Sequence, residues 1–147
     1  MSQDPEKQIS RHLHAILDAA SDLLFEVGVP ATAEELADGD RTRQLAFCEC
    51  VRRIGEAVAR IDDINDTWLS IEFPGIPWSS VKATRNRLTH NYWTIDYVIL
   101  HDSVVHDLPL LTAPVAAHLQ TTDPYRRLDP ARTIVQWNLE PRVLDFR

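Results

Sequence analysis

Residues 84 to 93 read TRNRLTHNYW and set Arg85, Arg87 and His90 beside Asn86, Asn91, Tyr92 and Trp93. A histidine with a pKa of about 6.5 takes or gives a proton at neutral pH. A guanidinium holds a phosphate bidentately and stabilises charge as it develops. Together they suit RNA cleavage without a metal: a 2′-hydroxyl is deprotonated, attacks its own phosphate, and Arg85 binds the phosphorane-like state. Metal catalysis is less favoured, since the chain has no H-x-x-x-H, no C-x-x-C and no carboxylate pair tied to the histidine. No nucleotide-binding glycine motif occurs either, and no cofactor is expected.

Such a set needs a helix to position it. Trp78, Val81, Arg85, Leu88 and Tyr92 recur at spacings of 3, 4, 3 and 4, an apolar stripe that Arg85 interrupts. A half-buried guanidinium requires a charged or hydrogen-bonding partner. One reading is a structural ion pair with a carboxylate such as Glu56; the other is a site. Asn86 and His90 are four apart and share a helix face. His90 lies roughly 140° around the helix from Arg85, at about 100° per residue. Either the helix ends before His90, or the long arginine bends round, or a second subunit completes the site.

The rest of the chain supplies partners for that helix. A first helix is predicted over 5–27, with Ile9, Leu13, Ile16, Ala20, Leu23 and Val27 as its stripe and Gly28 closing it. Thr32-Ala33-Glu34-Glu35 has the form of a capping box that opens a short turn. Asp40 is a candidate N-cap for a second long helix over 41–62, with Phe47, Val51, Ile54, Val58 and Ile61 facing inward. Gly55 inside that helix costs about 1 kcal/mol relative to alanine, so a neighbouring element should approach closely there. Residues 73–77, FPGIP, read as a loop, and a third helix spans 78–91. Thr94 is a candidate cap for a fourth running to 106. Asp107-Leu108-Pro109 reads as a break and restart, with Asp107 capping a last short helix to 119. This gives an all-α, antiparallel four- to five-helix bundle over residues 1–120 and an irregular C-terminal extension over 121–147.

With 147 residues, 44% of them hydrophobic, the chain fits one domain with one core. Its net charge of −7 argues against a generic nucleic-acid coat. Arg52, Arg53, Lys82, Arg85 and Arg87 can still form a local basic groove if the second and third long helices face one cleft. No apolar run approaches the roughly 20 residues that span a bilayer, and MSQDPEKQISRH lacks a signal-like apolar stretch; a cytoplasmic protein without membrane contact is expected. Cys48 and Cys50 diverge on a helix and read as buried structural thiols. His12 and His14 diverge likewise, while His101, His106 and His118 read as solvated.

Arg85-x-x-x-x-His90-x-Tyr92 resembles the R-x4-H-x-Y signature of the HepT-like toxins in the HEPN superfamily of helical ribonucleases. Pro77-Trp78 before the helix, Asp96 after it, Asp107-Leu108-Pro109, and Ile54-Gly55-Glu56-Ala57 on the second long helix resemble the same family. Ala83-Thr84 and Asn91 depart from its frequent Gly-Met and H-G-Y patterns. The resemblance covers about residues 8 to 119 and implies a HEPN-like bundle forming a homodimer, with the Arg and His motifs of both subunits lining one cleft. It implies metal-independent endoribonuclease activity on cellular RNA, with Arg85 and His90 catalytic and Asn86 and Tyr92 supporting. It also implies a MntA-like nucleotidyltransferase antitoxin that transfers AMP from ATP to Tyr92 and silences the toxin. The alternative is a non-catalytic HEPN-type bundle that binds nucleotide or serves as a nucleotidyltransferase's helical partner.

Overall fold

The computed structural model describes residues 4–90 and 94–122, with His90 entering by its backbone alone. Among these residues the chain forms α1 (Pro5–Ser21), prolonged by a wider π-wound stretch over Asp22–Val27, then α2 (Ala33–Ala37), α3 (Arg41–Ile64), α4 (Trp68–Glu72), α5 (Trp78–His90) and α6 (Tyr97–Thr122). The all-α bundle expected from periodicity is what forms. The irregular extension expected over 121–147 starts inside a helix, since α6 takes in Thr121 and Thr122; residues from 123 onward lie outside the described residues.

Local chemistry sets the ends of these helices. Asp4 Oδ1 accepts the Glu6 N–H at 3.0 Å, with Pro5 in the first helical position. Thr32 Oγ1 accepts from the Glu35 N–H and Asp40 Oδ1 from the Thr42 N–H, each at 3.2 Å, so both expected caps form. Gly28 adopts φ 82°, open to glycine without a steric cost. Its N–H donates to the Leu23 carbonyl at 2.8 Å, and that reach of five residues gives the preceding turn its π winding.

Paired residues show that neighbouring helices run antiparallel. Asp22, just beyond α1, meets Arg53 at 3.6 Å, whereas Pro5 and Ile9 lie beside Asp62 and Ile64, so α1 and α3 point opposite ways. On the far side of α3, Asp62 pairs with Lys82 and Glu56 with Arg85, which reverses α5. Ser80 Oγ donates to Asp107 at 3.0 Å while Leu88 and Leu100 share one cleft, and this reverses α6 against α5. Being sandwiched between α1 and α5, α3 buries more than its stripe of Phe47, Val51, Ile54, Val58 and Ile61. Cys48 and Cys50 are both free and both buried although they diverge on the helix. Burial raises both thiols, Cys50 to about 11.

Several expectations for the second half of the chain are corrected. α6 does not break at Asp107-Leu108-Pro109; Pro109 and Pro114 both lie inside it. Leu100, Val104, Leu108, Leu111, Val115 and Leu119 keep one buried phase through both prolines. Packing therefore outweighs the lost hydrogen bonds and a propensity penalty of about 3 kcal/mol per proline. Asp96, not Thr94, caps α6: its Oδ1 accepts from the N–H groups of Val98 at 3.0 Å and Ile99 at 3.3 Å. α4 was not expected, because five residues carry too little periodicity to read. The Trp78 indole N–H donates to the carbonyls of Leu69 and Phe73 at 3.2 and 3.1 Å and closes its end. Nor are His101 and His118 solvated. His101 is buried on the inner face of α6, with Nε2 donating to the Pro30 carbonyl at 2.6 Å. His118 packs edge-on against Trp68 and Phe73, with ring centroids 5.5 Å from each. His106 is exposed, as expected.

Candidate active site

The third turn of α5 delivers Arg85 against the middle of α3. Trp78, Val81 and Leu88 on the same stripe are buried and fix the rotation of α5, so Arg85 must point inward with them. Gly55 makes room for it. A Cβ at position 55 would run into the Arg85 Cβ, lie 2.6 Å from its Cγ and 3.3 Å from its Cα. The close approach that Gly55 suggested is thus made by the arginine itself.

The guanidinium then has defined partners. Nη2 of Arg85 donates to Glu56 Oε2 at 2.8 Å, and Nη1 donates to Asn86 Oδ1 at 3.3 Å. Nε is buried and has no hydrogen-bond partner among the described residues. Arg85 is neither a surface side chain nor sealed: its side chain is 28% exposed and that of Glu56 31%. The hydrogen bond from Arg85 holds the Glu56 carboxyl below its ordinary range. Burial opposes that effect, and the charges of Arg85, Arg60 and Arg52 reinforce it. Asn86, expected as a supporting residue, therefore does reach Arg85.

His90 closes α5, but its side chain, and all of Asn91, Tyr92 and Trp93, lie outside the described residues. The catalytic role expected of His90 and the modification expected of Tyr92 therefore fall outside the described residues. A cleft of about 240 Å³ opens where α5 ends and α6 begins, lined in part by Thr84, Arg87, Leu88, Asp96 and Ile99. Arg87, not Arg85, faces that cleft, because residues two apart on a helix diverge.

The expected basic groove is largely compensated. Arg52 meets Glu49 in a two-point contact at 2.7 and 3.0 Å, and Arg53 meets Glu49 at 3.2 Å. Lys82 pairs with Asp62. Arg60, which the sequence did not single out, joins Glu56 Oε1 at 3.3 Å from one turn along α3. Its i, i+4 spacing from Glu56 was the available signal.

A helical bundle that turns one arginine inward onto a carboxylate, five residues ahead of a histidine, sets the class: an all-α bundle with a partly accessible guanidinium at its site. Within that class the chain belongs to the HepT-like ribonuclease family: the family model, described as Ribonuclease HepT-like, matches residues 16–117. The chain is similar to a protein of Methanocaldococcus jannaschii named "Putative RNase MJ0127", at 30% identity over 107 residues, covering 71% of this chain and 82% of that one. It is similar at 30% over 110 residues to "Putative RNase MJ1380" of the same organism, covering 75% of this chain and 95% of that one. No solved structure gives a significant match. Among the described residues no helix is long and apolar enough to cross a membrane.

Proposed function

We propose that this chain is a metal-independent endoribonuclease acting in the cytoplasm as the toxin of a toxin–antitoxin pair. Membership of a ribonuclease family supports the reaction class. The observation that carries the site is Arg85, drawn inward by Gly55 and oriented by Glu56 with part of its guanidinium still accessible. In the reaction His90 takes the proton of a 2′-hydroxyl. The freed oxygen forms a bond to the adjacent phosphorus, the P–O5′ bond breaks, and the leaving oxygen takes up a proton. Arg85 donates to the phosphate oxygens as their charge grows, and Asn86 steadies the guanidinium. A homodimer brings the Arg85 of one subunit towards the His90 of the other, which meets the angular separation of the two residues on one helix. A MntA-like nucleotidyltransferase antitoxin transfers AMP from ATP to the Tyr92 hydroxyl, with release of pyrophosphate and the hydroxyl proton, and closes the same cleft.

His90→Ala tests the assignment. General acid–base catalysis is worth about 10²- to 10⁴-fold, so the variant should relieve growth arrest on expression and cut cellular RNA at least about 100-fold more slowly. Toxicity equal to the parent's would refute it. The Arg85–Glu56 contact also favours a second reading, in which Arg85 is only an ion pair of the fold. Arg85→Ala separates the two: a folded, inactive variant supports the active-site role, and an unfolded one supports the structural role.

A further inference from the structure

Glu56 has two carboxylate oxygens, and each holds a different arginine. Oε2 takes Arg85 at 2.8 Å, from across the helix interface, and Oε1 takes Arg60 at 3.3 Å, from the next turn of α3. The two guanidinium groups therefore flank one carboxylate. Arg60 has little structural reason to be there. Its side chain is 59% exposed, and an exposed i, i+4 pair contributes only about 0.3–0.5 kcal/mol to a fold.

The surroundings are more positive than the chain as a whole. Two titratable groups on different helices register it. Glu56 on α3 is pushed down by Arg85, Arg60 and Arg52, against its own burial. His12 on α1 is pushed down by burial first, then by Arg60 and Arg11. Arg60 is the one residue that acts on both. In a protein of net charge −7, Arg52 is matched by Glu49, but Arg85 and Arg60 share the one carboxylate of Glu56, and that pair leaves a local positive excess that attracts a phosphate.

We propose that Arg60 is a second phosphate seat of the site, held beside Arg85 by Glu56, so that the protein grips two phosphates of one single-stranded RNA. This rests on the ribonuclease reading above. Arg85 serves the phosphate that reacts. Arg60 serves a phosphate that does not, and so contributes binding common to ground state and transition state. Glu56 is the positioning residue for both: it spaces the two cations and keeps them from repelling each other before RNA arrives.

The test uses the full chain and its Arg60→Ala, Arg60→Lys and Arg85→Ala variants. Binding is read with a short single-stranded 2′-O-methyl oligoribonucleotide, which has the phosphates but no free 2′-hydroxyl. Cleavage is read with the unmodified strand. Arg60→Ala should raise KM about two- to fivefold, the scale of one exposed charge pair, with the loss falling on KM and not on kcat. The slope of log affinity against log salt should shrink by about 0.7, one phosphate contact on a single strand. Arg60→Lys, which keeps the charge, should restore both. If Arg60→Ala keeps the parent's KM and salt slope while Arg85→Ala abolishes cleavage, the second seat is refuted and the ribonuclease reading stands. If the parent itself neither binds nor cuts RNA, both fall together.

Discussion

Gly55 and Arg85 are a matched pair, and each marks a site that neither explains alone. The sequence shows a glycine where a helix disfavours it and an arginine where a stripe should be apolar. It does not show that the two meet, because that depends on the rotation of α5 against α3. Gly55→Ala tests the match. The new methyl group would meet the Cβ and Cγ of Arg85, which move only if the α5 backbone moves. Overpacking of this kind costs about 1–3 kcal/mol, against a helix-propensity gain of about 1 kcal/mol. The variant should therefore be less stable by on the order of 1 kcal/mol in urea unfolding and should lose RNA cleavage with it. Parent-like values for both would show that the contact is easily relieved. His101 illustrates what residue type alone conceals: a histidine reads as polar, and only the buried Pro30 carbonyl beside it explains its place in the core.

At the scale of elements, the α3–α5 interface is held by two ion pairs, Glu56 with Arg85 and Asp62 with Lys82. The Glu56 carboxyl lies below its ordinary value of 4.5 in the folded chain. The unfolded chain thus binds a proton at higher pH than the folded one does. The stabilisation is fully present above about pH 4.5 and is lost as pH falls through the lower folded value. Glu56→Gln removes this dependence. Urea midpoints followed from about pH 6 down to about pH 3 should fall more steeply for the parent than for the variant, and the two should converge at the acid end. Parallel curves would mean that Arg85 does not stabilise the carboxylate. The long helices were legible at this scale because their stripes are long and regular. In α6 local proline chemistry argues for a break, while an inner face in phase from Leu100 to Leu119 argues for continuity and prevails. α4 was invisible because its closure comes from an indole outside the helix.

At the scale of the molecule, the proposed shared cleft makes a distinctive prediction. Arg85→Ala and His90→Ala chains should each be inactive alone. In a mixed dimer, one of the two clefts pairs the intact Arg85 of one chain with the intact His90 of the other. Mixing and reassembling the two variants should therefore recover cleavage up to about a quarter of the parent's rate per chain, half of the dimers being mixed and each having one good site. No recovery would place both residues of the site on one chain. The helical class of the molecule could be read from its stripes, whereas the proposed pairing of chains rests on the family resemblance, because it depends on surfaces whose partners are not neighbours in sequence. The same molecule also carries an internal clock. Cys48 and Cys50 lie on α3 between α1 and α5, and with Cys50 raised to about 11, on the order of one such thiol in ten thousand is ionised at pH 7. An alkylating reagent attacks only the thiolate, so labelling waits until α3 is laid bare. The labelling rate then reports how often the helix that bears Glu56 and Arg60 comes away from its neighbours, and whether a bound RNA strand slows it, without any cysteine being added to the chain.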